Sequence, residues 1–166
     1  MCLGTGPPAP PRKVYMGKKI VCQNRKARHD YFIDEIYEAG IALAGPEVKS
    51  LREGRASLRD SYARVRHEEL FLHNMHITPY SFAHHVALDP TRTRKLLMHK
   101  REIKRLIGKT EQKGYSLIPL SAYLSNGIIK IELALAKGKR KYDKRAVLKE
   151  REMKRELDQL KRKDRS

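Results

Sequence analysis

Two apolar stretches meet at Ser125-Asn126-Gly127, and no other feature of the 166-residue chain restricts its fold as strongly. Asn-Gly supplies the two positive-φ positions that a tight primed turn requires, so Tyr115–Leu124 and Ile128–Ala136 read as the arms of an antiparallel β-hairpin. On the second arm Ile129, Ile131, Leu133 and Leu135 share one face. That alternation puts Lys130 and Glu132 on the other face, with Lys130 exposed.

Further strands are expected upstream. Between Tyr31 and Leu43 the apolar residues Tyr31, Ile33, Tyr37, Ala39, Ile41 and Leu43 hold the odd positions, interrupted by Asp34 and Glu35. This pattern predicts two half-buried strands meeting at a turn or bulge, with Glu38 directed away from the core. Gly45-Pro46 can open a short helix carrying Val48 and Leu51, ended at Gly54. In residues 61–88 the segments SYARVRH, ELFLHNMHI and SFAHHVAL are rich enough in β-formers for strands, broken at Pro79 and stopped at Asp89-Pro90. Asp89-Pro90 also resembles a helix start, so TRTRKLLMHKREIKRLI is read as a helix running to Gly108. Leu96, Ile103 and Ile107 would form its stripe, with Leu97 about 100° away among basic residues. Leu97 is then either an edge contact inside the domain or a contact to RNA or another partner.

Charge decides the class of partner. Lys and Arg number 37 against 19 Asp and Glu, a formal net charge of +18 with a pI near 10.1, which points to a polyanion. A nucleic acid or an anionic membrane would fit; no apolar run approaches the roughly 20 residues of a spanning helix and MCLGTGPPAPPRK lacks a signal peptide's hydrophobic region, so membrane insertion is disfavoured and a cytoplasmic location is expected. Residues 1–16, rich in Gly and Pro, are expected to be disordered, and Met16-Gly-Lys-Lys is a possible alternative start. From Lys137 to Ser166, 14 Lys or Arg against 6 Asp or Glu give +8, with too little apolar content for a second core. Met153, Leu157 and Leu160 keep helical spacing, but so narrow a stripe hardly holds an isolated helix in water. The expected organisation is therefore an extension over 1–16, an RNA-binding domain over 17–136, and a basic tail over 137–166 that becomes helical on binding.

Catalytic and metal chemistry find little support. Cys2 and Cys22 lack metal or disulfide spacing and are read as reduced thiols. His73 with His76, and the adjacent His84 and His85, have no carboxylate or thiolate spacing to complete a metal site. Gly108-Lys109-Thr110 copies the end of a phosphate-binding loop, but Ile103 stands where that loop needs its first glycine. Cys22 lies near His29 in sequence without a third orienting group, and there is no GxSxG elbow. No enzyme activity, cofactor or metal is expected. The absence of Trp leaves the core to aliphatic side chains.

Several strings carry a resemblance: NRKARHDYFIDEIYEAGIALAG, EVKSLREGRASLRDSYA, NMHITPY, DPTRTRKLL and EQKGYSLIPLSAYLSNGIIKIELALAKGKRKYDKR. In order and spacing, across residues 20–152, they resemble the SmpB (small protein B) family. The resemblance implies a mainly β fold: a small antiparallel barrel of the oligonucleotide-binding type, about three flanking α-helices, and a basic C-terminal tail disordered in the free protein. It implies a noncatalytic adaptor for trans-translation, with transfer-messenger RNA (tmRNA) and the stalled ribosome as partners and elongation factor Tu engaged indirectly through the charged RNA. Carried over by motif, Asn24, Lys26, Glu38, Leu97 and Lys130 would meet the tRNA-like domain of tmRNA. Lys130 would pair with phosphate, Leu97 would pack on a base or ribose, and Glu38 would accept hydrogen bonds from base edges or ribose hydroxyls. GKRKYDKR would enter the decoding centre, with Lys137, Lys139, Arg140, Lys144 and Arg145 on ribosomal RNA phosphates, Asp143 between them, and Tyr142 stacking. Some relatives have histidine at Tyr142, many have Gly-Thr or Gly-Trp at Gly45-Pro46, and some have lysine at Glu132. The alternative is a structural ribosomal protein or a general basic RNA binder.

Overall fold

A computed structural model describes residues 17–82, 88–112, 114–139 and 152–153. In chain order the elements are β1 (Lys19–Gln23), α1 (Arg25–Asp30), β2 (Tyr31–Ile41), α2 (Gly45–Arg52), β3 (Ala56–Ser57), β4 (Tyr62–Arg66), β5 (Glu69–His73), β6 (His76–Ile77), β7 (Arg94–Leu97), α3 (Lys100–Thr110), β8 (Tyr115–Ser125) and β9 (Ile128–Gly138). The hairpin is as expected: β8 and β9 pair from Tyr115↔Lys137 to Ser125↔Ile128, around Asn126 at φ 50° and Gly127 at φ 76°. The second arm continues to Gly138, two residues beyond the expected end.

β2 is one strand, not two. It pairs with β9 from Tyr31↔Gly138 to Gly40↔Lys130, with a register shift between Ile33 and Glu35 where the interrupting acids stand. The bulge exchanges the faces addressed by odd and even positions. Tyr31, Ile33 and Ile36 pack in a small outer cluster, whereas Tyr37, Ala39 and Ile41 belong to the main core. Glu38 thereby points outward.

The antiparallel sheet runs β1-β8-β4-β5-β7-β2-β9, and β9 returns to pair with β8. β4 meets β8 at the single pair Ala63↔Leu117, while β1 takes the neighbouring stretch of that edge. The result is a partly open barrel. Its interior is aliphatic, with Leu51, Leu70, Leu72, Met75, Leu96, Leu106, Ile131 and Leu133 fully buried. The six-residue α1 was not anticipated from the sequence, and it covers the outer face of the hairpin: Ala27 packs on Ile118, Leu120, Ala134 and Ala136. β9 is therefore buried on both faces over much of its length; Glu132 stands on the expected face, away from Ile131 and Leu133 and in register with Glu38, but it is not exposed. Its side chain is buried and accepts a hydrogen bond from Ser121 Oγ at 2.9 Å.

The expected helix over residues 91–108 divides. Arg94–Leu97 is a strand between β5 and β2, and α3 begins only at Lys100. The cause is Arg94, buried at an interior position of β7. Its guanidinium donates to Glu47 Oε1 at 2.8 and 3.0 Å, to the Met75 carbonyl at 2.6 Å, and to the Arg92 and Pro90 carbonyls at 3.0 Å. Glu47 also takes Arg92 at 2.6 and 2.9 Å, and accepts from the Ala44 N–H at the start of α2 at 2.9 Å. Burial alone would raise the Glu47 carboxyl, but the hydrogen bonds from Arg92, Ala44 and Arg94 outweigh it and hold it below the ordinary value. One ionic node thus joins α2, β7 and the chain on either side of residues 75–92. With Arg94 pointing in, alternation turns Leu97 out.

Of the expected strand SFAHHVAL, Ser81 and Phe82 lie in a turn, Leu88 is outside any strand, and residues 83–87 are outside the described residues. So are the expected disordered extension over 1–16 and most of the tail, apart from residues 137–139, Glu152 and an exposed Met153.

Candidate nucleic-acid interface

Registered antiparallel pairs place their side chains on the same face of a sheet. The register Leu97↔Gly40↔Lys130↔Tyr123↔Ile20 therefore makes one row across β7, β2, β9, β8 and β1. The row lies on the outside of the barrel. Leu97 is 53% exposed and Ile20 46%. Gly40 lets the Leu97 side chain lie directly against the β2 backbone; a Cβ there would stand 3.3 Å from the Leu97 Cβ and 3.7 Å from its Cδ1. The sequence reading put Leu97 on a helix, yet its exposure survives the change of element.

Glu38 sits two residues from Gly40 on the same face of β2, diagonal to Lys130. Its Oε1 accepts from Lys130 Nζ at 2.5 Å, and its Oε2 accepts from Lys18 Nζ at 2.9 Å and from the Tyr123 hydroxyl. Lys18 Nζ also lies 4.5 Å from the Tyr123 ring centroid. Three intramolecular donors thus hold the Glu38 oxygens that the sequence reading offered to a base or ribose. Lys130 is half-buried rather than fully exposed, with its ammonium tied to that carboxylate. Lys18 and Tyr123 escaped the sequence reading. Tyr123 could have been found, as it stands across the hairpin from Lys130, but no local pattern marks Lys18.

The hydrogen bonds from Lys130, Tyr123 and Lys18 bring the Glu38 carboxyl from its ordinary 4.5 down to about 2. A carboxylate lowered on folding adds stability that is fully present above its unfolded pKa and is lost as pH falls through the folded one. The wild-type melting temperature should therefore fall more steeply than that of Glu38→Gln between about pH 4.5 and 2.5, as read by circular dichroism. Equal slopes would mean that the carboxylate is not held in solution.

The remaining site residues are dispersed. Lys26 is exposed on α1. Asn24 is buried, and its side chain serves the fold: its Oδ1 caps α1 at the Ala27 N–H, and its Nδ2 donates to the Leu58 and Pro119 carbonyls. Lys137 is exposed near the end of β9. Lys139 is anchored: its N–H donates to the Asp30 carbonyl at 2.9 Å, and its Nζ lies 4.8 Å above the Phe32 ring. Arg140, Tyr142, Asp143, Lys144 and Arg145 lie outside the described residues. Beyond Leu97, α3 adds Lys100, Arg101, Lys104 and Arg105, all exposed, so a strongly cationic helix continues the chain from the row.

A cleft of about 830 Å³ between α1, β4 and β8 holds none of the row; Lys26, Asp30, Asp60, Arg64 and Glu68 line it with both signs of charge. Among the described residues no group of three His, Cys, Asp or Glu is placed to hold a metal ion, and no helix is long and apolar enough to cross a membrane. The row offers an aliphatic platform at Leu97 and a cationic edge beside it, chemistry that can meet a ribose or base and a phosphate.

A family model described as SmpB protein matches residues 21–163. The chain is 56% identical over 140 residues to the SsrA-binding protein of Geobacillus thermodenitrificans (strain NG80-2), covering 84% of this chain and 90% of that one. The SsrA-binding protein of Bacillus subtilis (strain 168) gives the same identity and coverage. That of Geobacter sulfurreducens is 56% identical over 144 residues, covering 87% and 94%. A chain from the structure described as "tmRNA-SmpB: a journey to the center of the bacterial ribosome" superposes with a TM-score of 0.62 at 50% identity, covering 76% of this chain and 92% of that chain.

Proposed function

The chain belongs to the SmpB family, and from that premise we propose that it is a noncatalytic, cytoplasmic adaptor that binds tmRNA and brings it to stalled ribosomes for trans-translation. The observation that carries this reading is 56% identity to SsrA-binding proteins over nine tenths of their length. The barrel grips the tRNA-like domain of tmRNA: Leu97 packs against a ribose or an unstacked base, Lys130 meets phosphate, and Lys26 adds charge. Glu38 belongs to the same surface.

The tail acts on the ribosome. Lys137, Arg140, Lys144 and Arg145 neutralise ribosomal RNA phosphates in the decoding centre, Tyr142 stacks on a base, and the residues beyond Ala146 form a helix along the empty messenger channel. Elongation factor Tu takes part through the charged RNA. An empty A site is recognised because only then is there room for the tail, and translation resumes on the reading frame of tmRNA, tagging the peptide for proteolysis.

Binding to the isolated tRNA-like domain and to an ordinary tRNA at matched salt tests the division of labour, using the full chain and a chain ending at Lys139. The cut belongs there because β9 runs to Gly138 and the Lys139 N–H closes onto Asp30. Both proteins should prefer the tRNA-like domain. Loss of discrimination by both would leave only a general basic RNA binder.

A further inference from the structure

A carboxylate on a surface built for RNA is at first sight an obstacle, because it repels phosphate. At Glu38 the geometry resolves the difficulty. Lys130 occupies one oxygen, Lys18 and the Tyr123 hydroxyl the other, so two ammonium groups stand on opposite sides of a single carboxylate. Lys18 Nζ also donates to the Tyr123 hydroxyl at 3.4 Å, and Glu132, in register with Glu38 on β9, is turned to Ser121 Oγ and buried. Tyr123 is buried beneath, its ring under Lys18, and this fixes the floor of the cluster. Both lysine side chains are about one-third exposed, at 29% and 34%, so each reaches the surface of the barrel beside the carboxylate.

We propose that Lys18 and Lys130 form a two-pronged phosphate clamp, in which Lys18 is a second RNA-contacting residue and Glu38 is a positioning residue that acts through the two ammonium groups rather than by touching RNA. Without the carboxylate, each lysine would pay the full rotamer entropy of a long side chain on binding. Mutual repulsion would also drive the two prongs apart. With it, both are held before RNA arrives, and a phosphate bridging them meets donors already oriented. The assignment rests on the RNA-binding reading above for the identity of the ligand, while the clamp itself follows from the Glu38 geometry.

A double-mutant cycle tests it in the full chain, with the isolated tRNA-like domain and an unrelated RNA hairpin at low salt as probes. Lys18→Ala should weaken binding about tenfold and lower the slope of log K against log salt by roughly one, and Lys18→Arg should restore the slope. Glu38→Gln should also cost about tenfold in the wild-type background, yet less than about twofold when Lys18 and Lys130 are both Ala. Melting temperatures at neutral pH check that every variant is folded. If Lys18→Ala changes neither affinity nor slope, or if Glu38→Gln costs the same factor with both lysines removed, the clamp is wrong and Glu38 touches RNA itself. Failure of the wild type to prefer the tRNA-like domain would count against the proposed function alone, since the coupling would still be read on the hairpin.

Discussion

Replacing Glu47 by Ala should lower the melting temperature by on the order of 10–20 °C, the steepest loss expected from any single substitution in the barrel. Arg94 would remain at 0% side-chain exposure with its carboxylate gone, and an uncompensated buried charge costs about 3–5 kcal/mol. The same change removes the acceptor for the Ala44 N–H at the start of α2 and releases Arg92. Glu47→Gln, which keeps the shape and some of the hydrogen bonds, should fall between Ala and wild type. Thermal denaturation at neutral pH reads both, and a loss under about 1 kcal/mol for Ala would mean that water reaches the node and screens the guanidinium. Because Arg94 determines which way β7 faces, the Ala variant should also weaken RNA binding through Leu97 without touching a residue of the surface.

The second large effect is expected on function rather than stability. Replacing Asp143, Lys144 and Arg145 together by Ala should leave affinity for the isolated tRNA-like domain within about twofold, because phosphate contacts made by the tail come into play only on the ribosome. Peptide tagging on stalled ribosomes should be abolished. A parallel loss of RNA binding and tagging would refute the division into a barrel that reads tmRNA and a tail that reads the ribosome.

Much of the fold is legible where backbone chemistry is local. Asn126-Gly127 announces its turn and the hairpin follows; Gly45-Pro46 announces α2, and the acids within Tyr31–Leu43 mark the bulge. Errors arise where tertiary contacts override local signals. RKLL carries the spacing of a helix, and nothing nearby discloses that Arg94 is an interior residue satisfied by Glu47, 47 positions away in the chain. The structural part of Asn24 was hidden for a related reason: nothing in its basic motif discloses the three hydrogen-bond partners that bury its side chain at Leu58, Pro119 and Ala27. α1 was missed because a single buried residue, Ala27, gives no periodicity to read. The outward placement of Glu38 was legible through strand alternation, whereas Leu97 was read as exposed on a helix and proved to be exposed on a strand. Lys18 was not legible, because its relation to Glu38 exists only once β1 is laid against β8.

β9 carries Lys130 near one end and stops at Gly138, next to the anchored Lys139, with β2 and β8 hydrogen-bonded along its flanks. Eight residue steps of about 3.3 Å make this a stiff beam of roughly 26 Å between the RNA contact proposed at Lys130 and the root from which the tail departs. Such a beam works as a lever with a fixed arm. A tilt of the barrel on its first RNA is delivered at the far end as a sideways displacement, so the accuracy with which the tail is aimed is set by how firmly the opposite end is held.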